Sequence, residues 1–421
     1  MSSPSSRISY RRYALALLLA VNLLNYIDRQ ALYAVFPLVK ADLRLSDTAL
    51  GFLGSAFMFC YMISAPFFGW LGDRKGRTQL ASLGLALWSL ATAGAGFAHN
   101  YPALLAARTT VGIGEASFGT VSPGLLSDYF PKEQRGRILS YFYLAIPVGS
   151  ALGYLIGGVI GQSMGWHAAF LIVGLPGLLL TLPLLLLKEP SRESEASADH
   201  AIRFQSGSLK KYIPLLKNRS FIINTLSMAA MTFALGGLAQ WMPTFLYRMH
   251  SLDVARGNTL FGAVTVVAGI TGTLTGGLLG DRLQKKSGKG YLTVSGWGFL
   301  IGAPVTAYAL ITPSLPSCIA AMFLAEYFLF LSTGPLNTVV ANVSAPSVRA
   351  MAFAVNIFFI HALGDAVSPA ILGRLSDLWG LRNALLVTPI AILLAAFFSF
   401  FCARSIERDS IPEKSGICKN P

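Results

Sequence analysis

The sequence predicts an all-α polytopic membrane protein with twelve transmembrane helices in two pseudo-symmetric six-helix bundles. Three observations carry that expectation. The 421 residues are 54% hydrophobic and 12% charged, with a mean hydropathy of +0.58, and the apolar residues come in long blocks. Lysine and arginine gather on one side of those blocks. The two halves of the chain also echo each other in motif and spacing.

A helix needs about 20 mainly apolar residues to cross a bilayer. The first block, Tyr13 to Val39, is too long for a cleavable signal peptide and no small-residue cleavage pattern follows it, so it reads as a permanent span. Thr48 to Leu71 and Thr78 to Ala98 follow, joined by a short charged loop, and Ala103 to Leu126 is the fourth. The fifth, Ile138 to Ile160, carries Gly149, Gly153 and Gly157, small residues at every fourth position that allow close helix packing. His167 to Leu187 completes the first six. The second six are Ser220 to Tyr247, Thr259 to Leu279, Tyr291 to Ile311, Ser317 to Val343, Met351 to Leu372 and Asn383 to Ala403. Continuous apolar blocks of this length favour helices over a barrel, whose strands alternate over about ten residues. Pro37, Pro66, Pro123, Pro147, Pro243, Pro304, Pro335 and Pro369 lie within spans or near their ends, where they kink helices. The expected organisation is an N-terminal bundle over 1–187, a cytoplasmic linker over 188–219, a C-terminal bundle over 220–403 and a cytoplasmic tail over 404–421.

With the N-terminus in the cytoplasm, 25 of the 33 Lys and Arg fall on the cytoplasmic side and 6 on the outer side; Arg29 and Arg108 lie within spans. This asymmetry places both termini and the linker inside. It also accounts for the net charge of +14 without nucleic acid, since the basic residues cover one membrane face, where anionic lipid headgroups attract them. Cys60, Cys318, Cys402 and Cys418 have no metal-ligand spacing and read as small buried hydrophobes, with no structural disulfide expected.

The repeat is visible in four landmarks. Asp73 in GWLGDRKGR and Asp281 in GLLGDRLQK are 208 residues apart, Glu115 and Glu326 are 211, Pro123 and Pro335 are 212, and Arg135 and Arg349 are 214. Internal repeats of this kind mark transporter architecture.

Twelve spans, a six-plus-six repeat and GDRKGR between spans two and three resemble the major facilitator superfamily over essentially the whole chain. NYIDR (Asn25 to Arg29), RTTVGIGEASFGTVSPGLLSDYFP (Arg108 to Pro131), the following KEQRGR, and GDAVSPAILGRLSD (Gly364 to Asp377) resemble its Spinster branch. The short termini suit a bacterial member. In span five, Tyr154 stands in GSALGYLIGG where the drug-antiporter motif has proline, a departure from the drug-antiporter pattern.

Seven ionisable residues lie within spans: Asp28, Arg29, Arg108, Glu115, Glu326, His361 and Asp365. Charges at membrane depth are costly and mark function. Arg108 and Glu115 are seven residues apart, nearly two helical turns, and so share a face of span four; Asp28 and Arg29 are about 100° apart around span one and cannot point the same way. Movement of an arginine relative to Glu115 or Asp28 would load and release a proton, which makes these two acids the expected coupling residues. A static buried ion pair is the alternative. His361 and Asp365 share a face at i and i+4, as a second relay, a headgroup contact or a packing pair. Glu326 is either a second acidic site or a buried protonated acid. Arg29, Arg108, Glu326, His361 and Asp365 form the expected substrate and charge network, with Phe118, Trp241, Phe328 and Phe330 either cavity-wall residues or simple packing and lipid contacts. Gly69, Asp73, Arg74, Gly76, Arg77, Arg135, Asp281 and Arg282 form the expected cytoplasmic gate: glycines permit close packing, and Asp73 caps a neighbouring helix or pairs with an arginine such as Arg135. The alternative reading of the loop cations is that they only set topology.

No P-loop, H-E-x-x-H, G-x-S-x-G or metal cluster is present, so no catalytic residues, metal or cofactor are expected. The expected activity is secondary transport by alternating access, proton-coupled, in the cell (inner) membrane. The family resemblance implies an amphiphilic, anionic, lipid-like substrate of the lysophospholipid or sphingoid phosphate class; the expected partners are that substrate, protons and membrane lipids, with the chain acting as a monomer. A small organic anion or sugar is the alternative cargo. A membrane-embedded lipid-modifying enzyme using His361 and Asp365 is the alternative class.

The charge asymmetry generates a topology test. Cysteines introduced at Ser197 and Ser415 should resist membrane-impermeant reagents in intact cells; labelling of either from outside would reverse the orientation.

Overall fold

The computed structural model describes residues 4–190, 217–344 and 348–409. The linker stretch that holds Ser197, most of the basic segment before Asn218, and the tail with Ser415 and Cys418 lie outside the described residues. The described chain is helical, with no strand among the described residues.

Span one is Pro4–Ala34, and it continues past a break at Val35 as Phe36–Leu43, beyond the Val39 limit expected from hydropathy. Pro37 in the first turn of the second piece has no N–H to extend the first helix, which places the break there. Spans two, three and four are Asp47–Arg74, Arg77–Ala95 and Tyr101–Tyr129. Span five comes in two pieces, Lys132–Tyr143 and Ala145–Met164, and span six is Trp166–Leu185. The second six begin with Arg219–Met249, Val254–Ser287 and Gly290–Ile311. Span ten is Leu315–Phe330 followed by Thr333–Asn342. Span eleven is Arg349–Ile360, a π-turn at His361–Asp365, and Ser368–Trp379; span twelve is Leu381–Leu385 and Val387–Asp409. An even number of spans returns the chain to the side it started from, here the termini side; the opposite end is the far side.

Helix starts follow side-chain chemistry. The side-chain oxygens of Ser46, Asn100, Asn218, Asp253 and Ser314 each accept from a backbone N–H in the first turn of spans two, four, seven, eight and ten. Gly165 (φ +87°) and Gly380 (φ +80°) make the turns into spans six and twelve, at a backbone conformation essentially reserved for glycine. They are 215 residues apart and add a fifth landmark to the repeat.

Among the described residues, nine helices are long and apolar enough to cross a membrane by length and composition; spans one, three and four fall short. Spans one and four fall short where they carry Asp28, Arg29, Arg108 and Glu115. Span three is short and rich in Gly, Ser and Thr, and it supplies a hydroxyl to the same cluster. The glycine series of span five seats span one beside it: a Cβ on Gly149 would lie 2.7 Å from Tyr26 Cβ, and on Gly153 2.6 Å from the Ile27 carbonyl oxygen. That approach fixes the turn of span one that bears Asp28 and Arg29.

The halves meet through spans two and eleven, and five and eight, toward the far side. Asp47, at the start of span two, accepts from both Nη1 and Nη2 of Arg248 on span seven at 2.7 and 2.8 Å, from Ser376 Oγ on span eleven at 2.5 Å, and from Lys40. Asp377 returns the contact: its carboxylate accepts from the backbone N–H groups of Asp47 and Thr48 at 2.9 and 2.8 Å, capping span two from the other half. Deeper, Asn258 Nδ2 donates to the Ala34 carbonyl at 3.0 Å and Tyr154 Oη to the Ala239 carbonyl at 2.6 Å. Lys40 and Arg248 are among the six basic residues counted on the outer side, and the sequence expectations give Asp47 and Asp377 no role of their own.

Charge-assisted bonds of this kind contribute about 1.5–3 kcal/mol each. Asp47→Asn keeps the shape but not the charge. A loss of about 2 kcal/mol would shift the closed-to-open ratio of this end roughly thirtyfold. Spin labels at Ala41 and Arg256, on opposite halves, should report longer distances in the variant; an unchanged distribution in a folded protein would show that the clasp does not hold this end shut.

Candidate functional site

The ionisable residues of spans one and four sort into two pairs of unequal strength. Arg29 Nε donates to Glu115 Oε2 at 2.6 Å. Arg108 Nη1 reaches Asp28 Oδ1 only at 3.5 Å, the outer limit of a hydrogen bond, while Asp28 Oδ2 accepts from the Thr92 hydroxyl of span three. The residues expected to diverge around span one do so, yet both meet span four, at levels set by the seven-residue spacing of Arg108 and Glu115. Arg108 and Glu115 are 0% exposed and Asp28 is 2% exposed.

Aromatic rings complete the cluster. The Arg29 guanidinium lies 5.0 Å from the centre of the Tyr26 ring and 5.1 Å from those of Phe57 and Tyr61, and Arg108 lies 5.2 Å from the same Phe57 ring. Rings attract a cation by their quadrupole and exclude water, which strengthens the paired charges. Tyr26, Phe57 and Tyr61 were missed in the sequence, where they read as ordinary span aromatics. Two of the four wall residues expected there are instead packing: Phe118 is 1% exposed and sits 5.7 Å from Trp88, and Trp241 is 0% exposed, 5.5 Å from Phe36, with its indole N–H donating to the Pro369 carbonyl.

Polar atoms remain unpaired inside this cluster. Arg108 Nε and Nη2 and Glu115 Oε1 are buried with no hydrogen-bond partner among the described residues. A buried guanidinium that holds one long contact and has two idle donors can accept an oxyanion, since leaving such donors unpaired is costly.

Across the interface, His361 Nδ1 and Asp365 Oδ1 are 2.8 Å apart on the π-turn of span eleven, within electrostatic range of Arg29 in the case of His361. Gly364, between them, has φ −105° and ψ −109°, outside helical values, so the helix is interrupted at the pair. π-turns of this kind concentrate at functional positions. Glu326 is not brought into this network. It lies within the C-terminal half, where Thr265 Oγ1 donates to its Oε1 at 3.1 Å.

At the termini side, the loop motif is anchored by Arg77. Its Nη1 lies 2.7 Å from Asp128 at the foot of span four, and its Nε donates to Glu189 at 2.8 Å, stapling the start of the linker to span three. Arg135 Nε donates to the Ser127 carbonyl at 2.9 Å and holds the turn between spans four and five. Arg74 lies 4.1 Å over the Trp70 ring of its own helix, and Asp281 accepts from Tyr291 Oη at 2.8 Å. Arg282 is exposed, and Gly69 and Gly76 line the same end. The side chain of Asp73 lies outside the described residues.

Comparison with known proteins places these features in context. The Major Facilitator Superfamily description matches residues 18–369. Protein spinster homolog 3 of Danio rerio is 35% identical over 394 residues, spanning 89% of this chain and 78% of that protein. The sphingosine-1-phosphate transporter SPNS2 of Danio rerio is 31% identical over 408 residues, 90% of this chain and 81% of that protein. In fold, the chain matches a bacterial homolog of the human lysosomal transporter Spinster with a TM-score of 0.86 at 23% identity, covering 98% of this chain and 100% of that one.

The unequal pairs generate a stability test. Arg29→Ala strands Glu115 in a fully buried place and should cost about 3–5 kcal/mol, most of which Arg29→Ala with Glu115→Gln should recover. Arg108→Ala should cost less, because its contact is long and Thr92 still holds Asp28. Thermal unfolding in detergent reads these differences; equal losses for both arginine variants would contradict the ranking of the pairs.

Proposed function

The chain belongs to the Spinster family of the major facilitator superfamily, and on that premise we propose that it is a secondary active transporter, working by alternating access and coupled to protons, that moves an anionic amphiphile across the membrane. The observation that carries the reading is Arg108: fully buried, loosely held by Asp28, with two guanidinium nitrogens idle. An anionic headgroup offers those donors the short, bidentate contact that Asp28 does not make. Once the anion takes the arginine, Asp28 is a buried carboxylate without its cation, and such a group takes up a proton. Binding of the anion and binding of the proton are then one event. Glu115 stays with Arg29 through this step and exchanges its proton when the halves move.

The naming of a relative as a sphingosine-1-phosphate transporter supports a lipid-like cargo of the lysophospholipid or sphingoid phosphate class. The far-side clasp around Asp47 is the outer gate, and the network of Arg77, Asp128 and Glu189 with the glycines of the loop is the inner one; Asp73 and Arg135 belong to that inner gate, with Asp281 and Arg282 as its repeat. The excess of Lys and Arg on the side of the termini and the linker supports a cytoplasmic location for them. His361, paired with Asp365 on the interrupted turn of span eleven, lies within electrostatic range of Arg29 from the other half and couples the motion of that helix to the charge cluster.

Reconstituted protein should take up a lysophosphatidate or sphingoid phosphate, and an imposed pH gradient should accelerate it. Glu115→Gln should bind the amphiphile but lose the acceleration, falling to the rate seen without a gradient. Uptake of small organic anions or sugars in place of the amphiphile would redirect the cargo, and wild-type gradient-driven uptake by Glu115→Gln would remove Glu115 from the coupling.

A further inference from the structure

Two contacts between the halves end on backbone carbonyls, groups that a continuous helix spends on the N–H four residues ahead. Tyr154 of span five donates to Ala239 of span seven at 2.6 Å, and Asn258 of span eight donates to Ala34 of span one at 3.0 Å. Both carbonyls stand just ahead of a proline. The residue four places after Ala239 is Pro243, which has no N–H to give, so that carbonyl is freed inside span seven. In span one, Pro37 follows Ala34 closely, and the Leu38 N–H, which a continuous helix would bring to Ala34, donates to Val35 at 3.0 Å instead. Pro37 and Pro243 are 206 residues apart, close to the repeat offset, so the breaks occupy corresponding places in the two halves.

The two donors are held where water does not reach them. Tyr154 and Asn258 are each 1% exposed, and the Tyr154 ring stands edge-on to Phe261 of span eight at 5.0 Å. Spans five and eight approach through glycines: a Cβ on Gly158 would lie 2.7 Å from Asn258 Cβ, and one on Gly262 would lie 3.1 Å from the Ala151 carbonyl oxygen. In so close an interface a freed carbonyl is costly unless a side chain of the facing half serves it. Once the halves part, water serves the carbonyls and the donors alike. The two bonds therefore favour the shut state.

We propose that Tyr154 and Asn258 are positioning residues of the transport cycle, each holding a proline break in the facing half and so tying the bends of spans one and seven to closure of the far side. The clasp at Asp47 closes that end by charge, whereas these contacts close it by supplying donors that two broken helices lack. The break in span one lies within two turns of Arg29, so gate and charge cluster share one helix. The proposal rests on the alternating-access reading, in which the halves part at the far side.

Tyr154→Phe removes only the hydroxyl. In full-length protein in detergent, spin labels at Ala41 and Arg256 should show its open-to-shut ratio rising about tenfold, the effect of stranding one buried carbonyl. Pro243→Ala returns an N–H to the Ala239 carbonyl, and in that background Tyr154→Phe should change the ratio by no more than about twofold, the mark of two residues acting on one group. If Pro243→Ala does not fold, Asn258→Leu compared with and without Pro37→Ala makes the same test at the second contact. An equal shift with and without the proline, or no shift in a protein whose labels do part, would overturn the proposal and leave alternating access standing. Labels that never part in any folded variant would overturn both.

Discussion

Two arginines and two carboxylates share a largely buried place between spans one and four, and the N-terminal half is arranged around that fact. Each charge unpaired there costs several kcal/mol. Neutrality is therefore kept by pairs, Arg29 with Glu115 and Arg108 with Asp28. The glycines of span five bring span one close enough to make the pairs, and Phe57 shields both arginines from water. The pairs are unequal by almost 1 Å, so one is a tie and the other is exchangeable. Under the proposed function, this difference is what would let a headgroup and a proton compete for one place.

The two ends of the molecule are held by different devices. On the far side, an acid from each half reaches into the other, Asp47 to Arg248 and Asp377 to the start of span two. On the termini side, the described ion pairs of the loop motif lie within the N-terminal half and tie spans three and four to the linker. An interface bound at one end by charges that water can solvate is one that can open at that end. The chain is a transporter by family, not an enzyme.

Much of this was legible in the sequence because membranes impose strict rules. Blocks of about 20 apolar residues gave the spans, and the repeat offsets gave the two halves. The buried ionisable residues announced themselves by their cost, and the 100° step between Asp28 and Arg29 foretold that they would point in different directions. What sequence did not disclose were partners distant along the chain. Asp47 looks like an ordinary acid in a first helical turn, and nothing near it names Arg248, 201 residues away. Tyr26, Phe57 and Tyr61 are indistinguishable by type from Phe118 and Trp241, which pack in the interior. The π-turn at His361–Asp365 leaves no mark beyond Gly364, because an extra residue in a helical turn has no composition of its own.

The central claim is that an anionic headgroup displaces Asp28 from Arg108 and that the displaced acid takes up a proton. The direct measurement is the number of protons exchanged when a lysophosphatidate binds purified protein in weakly buffered detergent, read with a pH-indicating dye. Uptake of about one proton per bound amphiphile in the wild type, and none in Asp28→Asn, is the predicted result. Binding without any proton exchange, or the same uptake by Asp28→Asn, would contradict it.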